Sequence, residues 1–341
     1  MTDLKPLSLA AHTAYHDLKS LMLDEQISDL RGTPVRREVS GRHYWYDHYR
    51  LGNQVKDRYL GEDTPDLRQR LERMTQEGAN RKARSKERSR LVRLLRAENL
   101  LGVDQTTGPL LRAFEGAGVF RVGGVLVGTH AFRLYEGELG FRLPAGQYVS
   151  TEDMDIAAFE RLALAIGDEV DQSLGGVLAD FNFDPVPELD RRSVWRWQQS
   201  TSNASVEFLT PSFEEDEGIR PLKSLNVHAR ALHHLNFLIA EPIQAVALYR
   251  DGVLVRIPRP ERFAIHKLIV ADRRQAGPDA LKSRKDRAQA AFLIRVLAED
   301  RPYELKDAWD TARAAGPKWR DRLDASLARM SEEKAILDGL A

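Results

Sequence analysis

The sequence predicts an α+β protein: a mixed sheet at the centre, an N-terminal helix and β-hairpin before it, and a helical C-terminal region after it. Three patterns carry that prediction. Apolar residues recur at three- and four-residue spacing in "LSLAAHTAYHDLKSLMLDEQISDL", so residues 5–31 read as an amphipathic helix. Over residues 105–215, β-branched and aromatic runs such as "VFRVGGVLVG" and "ASVEFLTP" alternate with helical periods. Beyond Pro221 one hairpin signal is followed by helical periods alone. These shifts divide the chain into residues 1–100, 101–220 and 221–341.

Taken in order, the first helix is stopped by Gly32 and Pro34. In "REVSGRHYWYDHYRLGNQVKDRYLG", Tyr44, Trp45, Tyr46 and Tyr49 precede a Leu-Gly-Asn turn, and Val55, Tyr59 and Leu60 follow it, the pattern of a β-hairpin. Thr64 to Glu98 is one long helical candidate. Its second half carries Arg81, Lys82, Arg84, Lys86, Arg88, Arg90, Arg93 and Arg96, spread round the helix rather than along a stripe.

In the centre, "GPLLRAFEGAG" reads as a short helix, "VFRVGGVLVG" as a strand, "THAFRLYEG" as a helix and "TEDMDIAAF" as a strand. A helix in "AFERLALAIGDEVDQSLGG" and strand segments in "RRSVWRWQQSTSNASVEFLTP" complete that region, with Trp195 and Trp197 alternating toward a core or interface. His228, His233 and His234 read as part of an amphipathic helix. "IQAVALYRDGVLVRIP" is a hairpin around Asp251-Gly252, and "PERFAIHKLIVADRR", "KDRAQAAFLIRVLAED" and the tail from Tyr303 are helical.

Composition narrows the classes. Lys plus Arg and Asp plus Glu both number 51, so net charge does not announce a nucleic-acid binder. There is no cysteine, which excludes disulfides, thiolate nucleophiles and Cys-ligated zinc. The first twenty residues lack the apolar core of a signal peptide, and no run approaches membrane-spanning length, so a soluble cytoplasmic protein is expected.

The chemistry-bearing pattern is "VSTEDMDIAAFE". Side chains alternate along a strand, so Asp153 and Asp155 share a face with Met154 opposite. Like charges that close raise each other's proton affinity unless a cation lies between them. A divalent metal answers that; a loop in which both acids are solvated is the bland alternative. Upstream, a strand ends at Gly128-Thr129 and turns into a helix, where backbone N–H groups and the dipole suit a phosphate. Downstream, Glu207 is the lone acid of an apolar strand, able to join the aspartates if its strand lies beside theirs, and otherwise a strand-edge solubility charge. Three such carboxylates make a hard-oxygen site for Mg2+ or Mn2+. Gly123-Gly124 reads as a close strand approach rather than part of a phosphate loop.

"VGTHAFRLY…STEDMDI…VEFLTP" resembles the nucleotidyltransferase signature of the polymerase-beta superfamily: Gly-Ser or Gly-Thr at a helix start, Asp-x-Asp on a strand, a third acid on a later strand. With the "YWY" hairpin and the "P-E-R-F-A-I-H-K-L" helix, the chain is similar to bacterial proteins of nucleotidyltransferase fold, and more distantly to AbiEii-type nucleotidyltransferase toxins. Two departures stand out. Thr129 replaces the commoner serine, and Asp153 follows Thr129 by 24 positions, which implies an insertion around "GELGFRLPAGQY".

The resemblance implies a polymerase-beta-like domain that transfers a nucleotidyl group from a nucleoside triphosphate. Asp153, Asp155 and Glu207 would hold the metal, with Glu207 also a candidate for the acceptor's proton. Gly128 and Thr129 would cradle the β- and γ-phosphates. Lys267, Arg273 and Arg274 would offset phosphate charge, with Lys285 and Asp286 nearby. By pattern alone Lys267, Lys285 and Asp286 are ordinary helix-surface residues.

RNA, such as a tRNA, is the expected acceptor. The Tyr44–Tyr59 hairpin, with Arg42, Arg50, Lys56 and Arg58, suits base stacking and phosphate gripping. The Arg81–Arg96 helix would extend that surface. The same residues suit a hairpin packed on its neighbour with its cations snorkelling, and a solvated connector helix. Other expectations are transfer to a small molecule or protein side chain, or a silent fold used as a binding or antitoxin-like module.

Overall fold

A computed structural model of the chain describes residues 4–28, 33–51, 54–76, 81–144, 153–160, 169–187, 193–275 and 280–340. Gly32, the Gly52-Asn53 turn, residues 145–148 of the expected insertion, residues 149–152, which include Thr151, and residues 161–168 of the expected central helix lie outside these.

Helix α1 (Leu9–Ser28) buries Ala11, Ala14, Tyr15, Leu18 and Met22, one face at helical spacing, in a cluster with Leu91, Val92 and Leu95. The expected hairpin is a three-stranded antiparallel meander: β1 (Thr33–Val39), β2 (Arg42–Leu51) and β3 (Gln54–Glu62). Its extra strand, "TPVRREV", pairs with β2 through a turn in which Ser40 and Gly41 both take positive φ. Trp45 and Leu60 pack against Leu67 and Leu71, while Tyr46 is buried beside Tyr59. Of the long basic helix the structure describes α2 (Pro65–Gln76) and α3 (Arg81–Ala97), on either side of residues 77–80, which lie outside the described residues.

Then follow α4 (Thr107–Gly116), β4 (Val125–Val127), α5 (Gly128–Leu139), β5 (Asp153–Ala157), α6 (Leu174–Asp180), β6 (Phe183–Pro185), β7 (Arg196–Gln199), β8 (Ser205–Pro211), β9 (Ile219–Leu222) and β10 (Val227–Leu232). They build a mixed sheet of order β4-β5-β8-β10-β9, with β7 also pairing β8 and carrying β6. β5 and β10 run parallel to β8; the other pairs are antiparallel.

Several sequence expectations are corrected here. "VFRVGGVLVG" supplies only three strand residues. Its first half is turns, because Gly124 packs so tightly on Val119 that a Cβ would stand 2.7 Å from the Val119 carbonyl oxygen. The insertion does not begin at Gly137: α5 continues to Leu139 and ends at Gly140, whose positive φ closes the helix. Residues 169–173 are not helical, and α6 starts only at Leu174. The histidines do not form a helix. His228 lies on β10, where Val227, Ala229 and Ala231 bury the opposite face, and His233 and His234 make the turn after it.

A short helix α7 (Leu235–Leu238) leads to the antiparallel pair β11 (Ile243–Ala247) and β12 (Val253–Ile257). Helices α8 (Pro260–Arg273), α9 (Ala280–Asp300), α10 (Pro302–Ala314), α11 (Pro317–Leu327) and α12 (Ser331–Gly339) complete the chain. One continuous core runs from Leu110 to Leu337, with Trp195 and Trp197 buried in it.

Two contacts place α5, the helix that opens at Gly128. Phe132 stacks on Phe263 of α8 at 6.0 Å and meets Phe292 of α9 at 6.1 Å, which draws both C-terminal helices over the sheet. At its far end, Gly137 admits the ring of Tyr15, which a Cβ would meet at 2.4 Å. The Tyr15 hydroxyl donates to Glu138 at 2.6 Å and accepts the Val246 N–H at 3.0 Å, while Lys19 pairs with Glu138 at 2.7 Å. No described helix is long and apolar enough to cross a membrane.

Candidate active site

Strand β5 places its acids by alternation. Met154 and Ile156 point into the core, which leaves Asp153 and Asp155 on the opposite, open face. Parallel pairing with β8 sets Asp155 beside Glu207 and Asp153 beside Ser205. Residues paired across a ladder share a face, so Glu207 stands next to Asp155 at the strand spacing of about 4.8 Å. Glu207 is flanked by β5 on one side and β7 on the other, so it is central in the sheet rather than an edge charge.

Burial, then the charges of Glu207 and Asp153, push Asp155 up to about 7. Lys267 and Arg274 offset this only in part. Glu207 is raised too, by burial first, with Arg196 opposing and Asp153 adding to the rise. Asp153 accepts a hydrogen bond from the Ser205 hydroxyl at 2.9 Å.

The Gly-Thr turn closes directly on these acids. Val127 at the end of β4 pairs with Asp155, and Gly128 then turns into α5 with φ +68°. A Cβ on Gly128 would stand 2.4 Å from Asp155 Oδ2, so both the dihedral and the space demand glycine. No side chain caps α5, leaving the first-turn N–H groups for a ligand. From α9, Lys285 Nζ donates to Thr129 Oγ1 at 3.2 Å. Burial, then the neighbouring Lys267 charge, lower the proton affinity of Lys285.

Behind Lys285, Asp286 is buried and binds two cations: Lys267 at 2.6 Å and Arg274 at 2.8 Å. Lys267 and Asp286 are therefore not the helix-surface residues that their pattern suggests. Arg273 turns elsewhere and grips Glu217 with contacts of 2.9 and 3.0 Å. Sequence reasoning overlooked Ser205, Arg196 and Arg230 on the same sheet face. Alternation in "RRSVWRWQQ" and "VHARAL" was the available signal for the two arginines.

The donor set suits a hard divalent cation. All three side chains offer oxygen, and burial followed by carboxylate repulsion raises the proton affinity of Asp155, a cost that a bound cation would relieve. Among the described residues no three acidic or imidazole groups are already drawn into a coordination shell. Asp153 is turned toward Ser205, and Glu207 leans toward Arg196 at 3.9 Å.

The basic N-terminal elements lie elsewhere. Arg58 and Arg88 line a cleft with Arg112, Gly118 and Arg121, next to the residues that precede β4, whereas the acids sit where β4 ends. Arg88 pairs with Glu25 at 2.7 Å and Asp251 at 2.5 Å, Arg90 with Glu87 at 2.7 Å, and Arg96 donates to the Leu248 carbonyl at 3.2 Å. In the meander, Arg36 pairs with Asp63 at 2.6 Å and Arg37 with Asp57 at 2.8 Å.

A family described as a domain of unknown function (DUF6788) matches residues 15–69, which span most of α1, the meander and the start of α2. No curated protein and no solved structure matches the chain. The model of the nucleotidyltransferase family matches residues 105–314, more than half of the chain, from just before α4 to the end of α10, and it covers every acid and cation gathered at the Gly128 turn. The chain belongs to the nucleotidyltransferase family.

Proposed function

We propose that the protein is a divalent-metal-dependent nucleotidyltransferase, with Asp153, Asp155 and Glu207 holding Mg2+ or Mn2+ and with a hydroxyl of the acceptor as nucleophile. The observation that carries this reading is the register of Asp155 on Glu207 beside a glycine turn that opens a helix. A bound divalent ion would neutralise the triphosphate and acidify the attacking hydroxyl. The first-turn N–H groups at Gly128 and Thr129 hold the β- and γ-phosphates. Lys285, beside Thr129, supplies positive charge there, and Asp286 holds Lys267 and Arg274 in place behind it. The acceptor oxygen forms a bond to the α-phosphorus, the bond to the bridging oxygen breaks, and pyrophosphate leaves. Glu207, whose proton affinity is raised, takes up the acceptor's proton.

RNA is the preferred acceptor class within this reading, with a small molecule or protein side chain as the alternative. The cations of α3 and the meander give it less support than their number suggests, because Arg88, Arg90, Arg96, Arg36 and Arg37 are engaged within the protein. Retention of all three acids favours catalysis over a silent binding or antitoxin-like module. A toxin role rests on the distant AbiEii resemblance alone.

The test incubates the protein with each α-labelled triphosphate, Mg2+ or Mn2+, and separate pools of RNA, protein and metabolites. Label enters the RNA pool with the wild type and does not with Asp153→Ala/Asp155→Ala. Labelling by the double variant equal to wild type refutes the mechanism, and labelling of another pool reassigns the acceptor.

A further inference from the structure

The open sheet face does not end at Glu207. Strands β7 and β10 follow one another along the same side of β8, β7 pairing with its first half and β10 with its second. Arg196 is in register with Glu207, and Arg230 with Leu209, two residues further along β8. Both arginines therefore share the face of Glu207, on the side away from Asp155. Across the sheet the order is Gly128 and Thr129, then Asp153 and Asp155, then Glu207, then Arg196 and Arg230.

The arginines are more than a counterion for Glu207. Arg196 and Arg230 both act on that one carboxylate, and Arg196 stands in register with it. The Arg196 guanidinium stops at 3.9 Å from Glu207, beyond hydrogen-bond distance, and its buried Nε has no hydrogen-bond partner among the described residues. Arg230 is exposed and lies over the Trp195 ring at 5.5 Å. A cation held over an aromatic face keeps its N–H donors available to a phosphate.

The donor triphosphate belongs on the Gly128 side, which leaves the far side of Glu207 to the acceptor. Resting on the nucleotidyl-transfer reading of this site, we propose that Arg196 and Arg230 bind a phosphate group of the acceptor, close to the hydroxyl that receives the nucleotide. Both strands are direct neighbours of β8, and the Arg196 guanidinium reaches to 3.9 Å from Glu207, which suits a phosphate on the same nucleotide or phosphorylated sugar as the reacting hydroxyl. A nucleic-acid end and a small phosphorylated alcohol share this chemistry.

The test fills the donor side of the wild type and of Arg196→Gln/Arg230→Gln with Mg2+ and the α,β-methylene analogue of ATP, GTP, CTP or UTP, whichever the wild type binds. Adenosine, adenosine 5′-monophosphate and a short oligoribonucleotide are then titrated in separate calorimetric runs. The wild type binds the monophosphate about tenfold or more tightly than adenosine, and the variant loses that difference while keeping its affinity for the donor analogue. Tighter binding of the oligoribonucleotide than of the monophosphate assigns the phosphate to a nucleic acid; equal binding assigns it to a small molecule. No preference for phosphate in the wild type, or a preference that survives in the variant while the donor analogue still binds, overturns the acceptor assignment alone. Failure of the wild type to bind the α,β-methylene analogue of any of the four nucleoside triphosphates overturns the nucleotidyl-transfer reading, and the acceptor assignment with it.

Discussion

Replacing Asp155 by Asn probes the electrostatics of the site in the metal-free protein. Burial, Glu207 and Asp153 together lift Asp155 from its ordinary 3.8 to about 7. A folded-state value above the unfolded one means that the stability Asp155 contributes is fully present below about 3.8 and is lost as pH rises through about 7. At about 1.4 kcal/mol per unit, the ionised side chain costs at most ~4 kcal/mol above that range. Partial solvent access and relaxation of its acidic neighbours bring this to ~2 kcal/mol. Asp155→Asn, which keeps the shape and removes the charge, is therefore more stable than wild type by ~2 kcal/mol at pH 8 in EDTA, or roughly 3 °C in melting midpoint for a chain of this length. At pH 5 the difference falls to roughly a third of that, and it vanishes only below about 3.8. Added Mg2+ or Mn2+ reverses the order, since a ligand at a hundred times its Kd stabilises the wild type by ~2.7 kcal/mol and the variant lacks a ligating oxygen. Thermal melts followed by circular dichroism, with EDTA and with each metal, read both effects, and the transfer assay reads the loss of activity. A variant less stable than wild type in EDTA at pH 8, or equal metal shifts in both proteins, refutes the reasoning.

Gly128→Ala strains a residue at φ +68° by ~1 kcal/mol and drives a methyl into Asp155, so transfer should fall by about a hundredfold with the fold retained; unchanged turnover would show that the turn does not set the position of Asp155. Burial above all lifts Glu115 to about 6, so the stability it contributes is present below its ordinary 4.5 and is lost as pH rises through 6. Glu115→Gln retains an acceptor for the Leu254 N–H and should gain ~1 kcal/mol at pH 8 but nothing at pH 4.5, as measured by urea denaturation at the two pH values. Tyr15→Phe leaves the Val246 N–H and Glu138 each short of a buried partner, which costs ~2 kcal/mol by chemical denaturation, while transfer at low temperature stays near wild type. Loss of transfer in a folded Tyr15→Phe protein would instead tie α1 to catalysis.

Different elements were legible to different degrees, for local reasons. The buried face of α1 and the shared face of Asp153 and Asp155 follow from periods of 3.6 and 2, which need no partner to be seen. The residues of β1 are mostly polar, and it is a strand through its pairing with β2 rather than by its own pattern. Ala and Leu around His228, His233 and His234 favour a helix, yet alternation in "VHARAL" buries Val227, Ala229 and Ala231 on one strand face. Gly123-Gly124 interrupted an apolar run that looked like one strand, and the chain turns there instead.

The sequence alone determined which groups are available: two aspartates on one strand face, a lone acid on a later strand, a Gly-Thr helix start and a set of C-terminal cations. Their mutual placement came from tertiary structure, because β5 and β8 are parallel and meet only across a long crossover, so their register is not written in either strand. The same holds for Lys267 and Asp286, whose helical pattern looks solvent-facing until α8 and α9 pack and leave each charge buried with the other as partner. It holds again for Arg196 and Arg230, which become neighbours of Glu207 only because β7 and β10 line the same side of β8. Local periodicity reports which way a side chain points; what it meets there is a non-local quantity, set by which strands and helices share a core.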